Sequence, residues 1–180
     1  DVGTLSSYWE ANMELIDIVP EFNLYEEYWR IYTKSEILPP QYIASDSVVE
    51  RCIIGEGSEI YGKVYNSVIG CGVTIGEGTV VRNSIIMNQC QIGNNCTIEK
   101  AIIDEYAVIG EGTELGTLEE KPNELKPNIY NQGLVTIGEK SVIPGHVKIG
   151  KNSVVSGETT IEDYPEGILD SGKTLIKAGD

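Results

Sequence analysis

The sequence predicts an all-β chain, a triangular parallel β-helix preceded by a short helix and a connector. Three observations predict it. An aliphatic residue recurs every six positions from Ile54 onward, as in Ile69-Gly-Cys-Gly-Val73-Thr, Ile75-Gly-Glu-Gly-Thr79-Val and Ile92-Gly-Asn-Asn-Cys96-Thr. The aliphatics at 69, 75, 81, 86, 92, 98 and 103 add a longer period: 69, 86 and 103 lie 17 apart, and 137 and 155 lie 18 apart. The third residue after the aliphatic is Gly57, Gly72, Gly78, Asn95, Gly112 or Asn152 in the better copies, and Gly and Asn tolerate the positive φ of a sharp corner. A sustained six matches neither the period of about 3.6 of a helix nor that of about 2 of a strand. Three strands to a coil of 17 or 18 residues account for both periods. Each aliphatic then points into the prism and stacks on its equivalent one coil away. The small residue four positions later fills the little volume left at the corner. No coil buries its inner face alone, so stability comes from stacking.

The remaining elements follow in order. Asp1 to about Ile18 is expected to be helical, with Leu5, Tyr8, Trp9, Met13 and Ile16 on one face. Thr4 or Ser7 is placed to cap it, Ser7-x-x-Glu10 fits a capping box, and Pro20 ends it. Asn23 to Pro40 reads as an extended connector stopped by Pro39-Pro40. The division is therefore helix and connector over 1–40, β-helix over 41–166 and a tail over 167–180. Thr117 to Gly133, with Glu-Lys-Pro-Asn and Leu-Lys-Pro-Asn, is too long for a corner and reads as an excursion from the helix. Loops of that length often carry function.

Composition narrows the function. The 180 residues carry a net charge of −15, which argues against a nucleic-acid partner and against an anionic membrane surface. A local basic pocket for a phosphate is compatible with that balance. No apolar run approaches the ~18 residues that span a membrane. One Phe against 10 Tyr and 20 Gly describes a core of small and aliphatic side chains with many turns. Cys52, Cys71, Cys90 and Cys96 form no C-x-x-C pair, and one His cannot complete a zinc cluster of the usual spacing. A reduced, cytoplasmic setting is the simpler expectation. Cys52, Cys90 and Cys96 fall in the small inward slot of their hexads, where Cys acts as a small hydrophobe.

The segment before the repeat sharpens the reading. Asp1-Val-Gly-Thr4, Tyr8-Trp9-Glu10-Ala11-Asn12-Met13, Leu24-Tyr25, Trp29-Arg-Ile-Tyr32-Thr33 and Leu38-Pro39-Pro40 together resemble the last part of bacterial glucose-1-phosphate adenylyltransferase, the ADP-glucose pyrophosphorylase family. The hexads themselves resemble left-handed β-helix proteins, and the left hand is taken from that resemblance. The resemblance implies a parent enzyme of glycogen synthesis that makes ADP-glucose and pyrophosphate from ATP and glucose 1-phosphate with magnesium. Its nucleotide loop and sugar-phosphate Lys would lie upstream, so this chain would carry no catalytic residues and no cofactor of its own. It would be the regulatory and oligomerisation domain, packing on its own catalytic domain, building a homotetramer and answering a phosphorylated small-molecule effector. One metal ligand carries over: Asp1 matches the family's magnesium-binding aspartate, and the intact Asp1-Val-Gly-Thr4 favours a catalytic subunit over a weakly active paralogue. Gly133-Leu-Val-Thr-Ile…Val142-Ile-Pro-Gly resembles the segment whose Lys holds a phosphorylated effector in plant and cyanobacterial members. Here Glu139 stands at that position and Lys140 follows it, which makes Lys140 the candidate effector residue.

Two other readings stand beside this one. A hexapeptide acyltransferase would use His146 as general base beside an acyl-CoA; the alternative is that His146 fills a corner slot taken elsewhere by Gly and Asn. A purely structural β-helix module would bind no small molecule. Lys121, Lys126, Lys140, Lys148 and Lys151 gather around the loop and the last coils, either to hold a phosphate or as a solvated face.

Overall fold

A computed structural model describes residues 2–24, 26–29, 32 and 37–177. Among them are one α-helix, Leu5–Glu14 (α1), two 3-10 turns and twenty strands of two or three residues. The hexad explains such short strands, because a corner interrupts the extended run every six residues. All ladders are parallel, and each strand pairs with the one three places on until the last coil, where Lys148–Ile149 and Val154–Ser156 each pair with the strand two places on. Three sheets result. The first has six strands, from Tyr42–Ile43 to Val142–Ile143. The second has seven, from Val48–Glu50 to Ile168–Leu169. The third has seven, from Ile53–Ile54 to Thr174–Ile176. This is the parallel β-helix that the repeat predicts.

The expected inward aliphatics form the core. Ile69, Ile75, Val81, Ile86, Ile92, Ile98 and Ile103 are all buried. They stack in register, Ile69 on Ile86 and Ile86 on Ile103 along one face, Ile75 on Ile92 along another. Each contributes about 1.5–3 kcal/mol by leaving water. The small slots have a second task. Ser67 Oγ accepts from the backbone N–H of Ser84 at 3.1 Å, and Ser84 Oγ accepts from that of Ala101 at 3.0 Å. Thr79 Oγ1 accepts from the N–H of Cys96 at 3.0 Å while donating to the carbonyl of Gly93. A slot hydroxyl thus satisfies the corner amide one coil on, a group that burial would otherwise penalise.

Corners take the expected backbone. Gly57, Gly72, Gly78, Asn95, Gly112 and Asn152 all have positive φ. The glycine straight after the aliphatic has a different cause. A Cβ on Gly70 would sit 2.6 Å from Asn88 Oδ1 and 2.8 Å from Asn88 N of the next coil. Coil-to-coil approach, not backbone freedom, excludes a side chain there.

The structure revises three expectations. The helix is shorter than 1–18, and its box is Thr4 with Ser7, not Ser7 with Glu10: Thr4 accepts from the N–H of Ser7 and Ser7 Oγ accepts from the N–H of Thr4, both at 3.1 Å. Coil length is not confined to 17 or 18. Ile60 pairs with Ile75, 15 positions on, and Val155 with Leu175, 20 positions on. The tail assigned to 167–180 contains two strands, Ile168–Leu169 and Thr174–Ile176, that extend the second and third sheets. The 117–133 excursion lies where the sequence puts it, between the strands Glu114–Leu115 and Val135–Ile137, and occupies one coil length, since Ile103 pairs with Ile137, 34 positions on. The first sheet continues past Val142 only as a single parallel bridge to Glu158, after which the turns Ile161–Asp163 and Pro165–Gly167 bring in Tyr164, which is buried in the core with its hydroxyl 2.8 Å from Thr159 Oγ1.

Replacing Ile98 by Ala should lower unfolding free energy by about 2–5 kcal/mol, whereas Thr97→Ala, on the exposed side of the same strand, should change it little. Urea denaturation of both variants checks this.

Candidate functional site

The helix α1 lies along the corner between the second and third faces. Arg51, Asn66, Asn83 and Lys100 occupy that corner in successive coils, all at φ of 50–52°. This conformation leaves the Asn83 carbonyl free to accept from Trp9 Nε1 at 2.7 Å. The Lys100 ammonium sits 4.8 Å from the Trp9 ring centre, a cation–π contact. Asn66 donates to Asn83 Oδ1 at 2.8 Å, and Asn83 donates to Glu99 at 2.7 Å, which fixes the column laterally. Beyond the helix end, Asp17 pairs with Arg51 at 3.0 Å; both are half exposed, so this pair adds little stability. Leu5, Tyr8, Trp9 and Met13 pack on Ile85, Ile102 and Leu134, the outward apolar residues of this part of the molecule. The predicted stripe is therefore seated on the β-helix; Ile16 is half-buried beyond it.

The 117–133 excursion is tied down at its base. Asn123 is buried. Its Oδ1 accepts from the N–H groups of Leu125 and Lys126, and its Nδ2 donates to the Asn152 carbonyl. Asn152 Oδ1 accepts from the N–H of Gly133 at 2.6 Å, and its Nδ2 donates to Glu120 and to the Lys121 carbonyl. Asn152, read from sequence as a corner residue, thus also clamps both ends of the loop. The far part of the loop reaches α1. Asn128 and Ile129 share a hollow of about 440 Å³ with Val2, Leu5, Tyr8 and Met87.

Of the sequence-predicted site residues, Lys140 and His146 occupy different corners. Asp1 lies outside the described residues, as do Tyr25, Arg30, Ile31 and Thr33 of the motifs above. Lys140 is at a positive-φ corner, exposed, 2.9 Å from Glu139 and above the Tyr106 ring at 5.9 Å. The Glu139 carboxylate beside it holds its ammonium above the usual lysine range. His146 is an exposed corner residue at φ 59°, with its N–H donated to Glu111. Among the described residues its ring makes no hydrogen bond that would orient it, and a general base needs such a partner. Of the gathered lysines, Lys121 pairs with Asp170 and Lys148 with Glu114, while Lys126 and Lys151 take no part in the ion pairs of the described residues. Lys148 holds the Glu114 carboxyl below its usual range. Among the described residues no three His, Cys, Asp or Glu side chains converge to hold a metal ion. Cys90 and Cys96 are buried and Cys52 partly so. Burial pushes the Cys90 thiol up to about 11 and raises the other two. No helix of the described residues is long and apolar enough to cross a membrane.

The comparisons bear on this geometry. Residues 40–137 match the model of the GlmU-like, C-terminal hexapeptide family. The chain belongs to that family. Over its whole length it is 67% identical to a glucose-1-phosphate adenylyltransferase of Lachnospira eligens and 43% identical to one of Acetivibrio thermocellus, covering 43% and 42% of those proteins. A glucose-1-phosphate adenylyltransferase of Thermotoga sp. (strain RQ2) is 54% identical over 98% of the chain and is covered to 42%. The chain thus spans less than half the length of these relatives and corresponds to their C-terminal part. A likeness to the acetyltransferase domain of PglB from Neisseria gonorrhoeae FA1090, at 18% identity, 73% coverage of this chain, 55% of that one and a TM-score of 0.44, is too distant to carry an argument.

Sequence reasoning missed the Trp9–Asn83–Lys100 seam and the Asn123–Asn152 clamp. A signal for the second was present in Lys-Pro-Asn, because an Asn after Pro is a natural turn former. Asn152→Ala should leave the Gly133 amide unsatisfied and cost about 1–3 kcal/mol, read as faster proteolytic cleavage within 124–130. In the native protein at pH 8, a thiol reagent should modify Cys71 well before Cys90 and Cys96; mass spectrometry of quenched digests reads the order.

Proposed function

We propose that the chain is the assembly and regulatory part of a glucose-1-phosphate adenylyltransferase. The longer protein would form ADP-glucose and pyrophosphate from ATP and glucose 1-phosphate in the cytoplasm, and this part would contribute no catalytic residue. The observation that carries the reading is the whole-length identity of 67% to less than half of such an enzyme. The seating of α1 supports it. A helix locked in register by Trp9 and Asn83 is a stiff strut, suited to fixing a preceding domain against the β-helix. Exposed Ile18, Val19, Tyr28, Trp29, Tyr32 and Ile37 are the surface that such a domain, or the other subunits of a tetramer, would cover. Asp1 would add its carboxylate to a magnesium site whose other ligands come from the preceding domain. Lys140, exposed on its corner, is the residue proposed to meet a phosphorylated effector.

The test is a pyrophosphate-release assay with ATP, glucose 1-phosphate and magnesium, on this chain and on the protein extended upstream to its start codon. Release by the extended protein alone is expected. A folded extended protein that releases none would overturn the reading. Lys140→Ala in the active protein should then weaken activation by a sugar bisphosphate while leaving the rate without effector unchanged.

A further inference from the structure

The coil that links Ile60 to Ile75 is two residues shorter than the 17-residue coils that follow it. The missing length is at one corner. Tyr61-Gly62 alone joins the strands Glu59–Ile60 and Lys63–Tyr65, where the next coil uses Gly76 to Thr79. The prism is therefore notched between the full corners above and below. The notch is a recess of about 490 Å³ lined by Ala44, Ser45 and Asp46 on one side, Glu77, Gly78 and Val80 on the other, and Tyr61, Gly62 and Lys63 at its floor. Its volume lies in the range of about 300–1,000 Å³ typical of small-molecule sites.

The lining selects the ligand. Asp46, Lys63 and Glu77 take no part in the ion pairs of the described residues, so their polar atoms are open to a guest. Two carboxylates against one ammonium disfavour a phosphate or any other dianion. No metal-binding cluster of three acidic, His or Cys side chains forms there. Of the lining residues, Tyr61 supplies an aromatic ring; that ring stands 5.9 Å from the Tyr42 ring at 51°, and its hydroxyl donates to Glu59 at 2.9 Å. Carboxylates that accept from vicinal hydroxyls, an ammonium and a serine hydroxyl for ring and hydroxyl oxygens, and an aromatic face for C–H groups are the chemistry that recognises a sugar. We propose that this notch is a binding site for a short neutral oligosaccharide. It is separate from the α1 seam and from Lys140, and it does not depend on the adenylyltransferase reading.

The experiment is an amide NMR titration of the 180-residue chain with maltotriose, with AMP and sulfate as anionic comparisons. Saturable shifts centred on Ala44, Gly62 and Gly78 are expected with maltotriose, smaller ones with the anions. Asp46→Ala with Glu77→Gln, both exposed corner positions, should weaken maltotriose binding about tenfold, the loss of about 1.4 kcal/mol. Lys63→Ala gives an independent variant, and unchanged distant cross-peaks certify the fold of each. Absence of shifts at those three amides, equal shifts in both variants, or stronger binding of the anions would overturn the proposal.

Discussion

The corner governs this molecule. A triangular prism with an edge of six residues has room for one aliphatic side chain along each edge and one small side chain at each vertex. That limit sets the sequence. It places Ile, Val or Leu at every sixth position and Ser, Thr, Cys or Ala four positions on. It also places a positive-φ residue where the chain turns, from Gly57 to Gly172. The vertex raises a hydrogen-bonding problem as well as a steric one. A corner amide cannot always join the ladder, and the buried hydroxyls of Ser67, Thr79 and Ser84 supply the partner. A vertex Cys or Ala fills the same volume without a hydroxyl, so Ser or Thr and Cys or Ala alternate within one slot at similar volume but different polarity. Stacking then repeats the solution, and every coil supports the next.

Because the repeat is so uniform, whatever distinguishes one region from another has to come from outside it. The helix α1 covers the outward apolar residues Ile85 and Ile102, and the excursion 117–133 meets the start of that helix through Ile129. The two additions support each other across the third face. The loop in turn is held to the later coils by Asn123 and Asn152. A mechanical path therefore runs from the chain's first described residues, through the helix and the loop, to the last coils without passing through the core. In a longer protein, that path is the natural route for strain between a preceding domain and the far end of the solenoid.

Much of the fold was legible because its cause is local and periodic. The inward aliphatics from Ile69 to Ile103 and the glycine and asparagine corners follow from counting, and all are where the count puts them. The last coil was not legible, because two 3-10 turns around the buried Tyr164 follow a single bridge at Glu158 and lengthen the coil to 20 residues, so the count fades before the sheets do. The capping box was not legible, because both Thr4 and Ser7 can cap, and in the structure each caps the other's backbone amide. The cysteines were legible as packing, since the slot has one size. The α1 seam was not, because its acceptor is a backbone carbonyl, that of Asn83, and no side-chain pattern announces a carbonyl.

Function in such a scaffold concentrates where the count breaks. A regular coil presents the same three faces at every level and has nowhere to bind one ligand more than another. A shortened corner, an inserted loop or a helix laid along one edge is a break of that symmetry, and each has been stabilised at identifiable cost. Gly62 shows this. A side chain there would meet the Gly76 carbonyl oxygen at 2.8 Å, so the two-residue corner also requires a glycine. Asn152 shows it too, a buried polar side chain whose hydrogen-bonding capacity is directed to the loop rather than to its own coil. Residues set against the interests of the bare prism mark where this chain departs from a uniform solenoid.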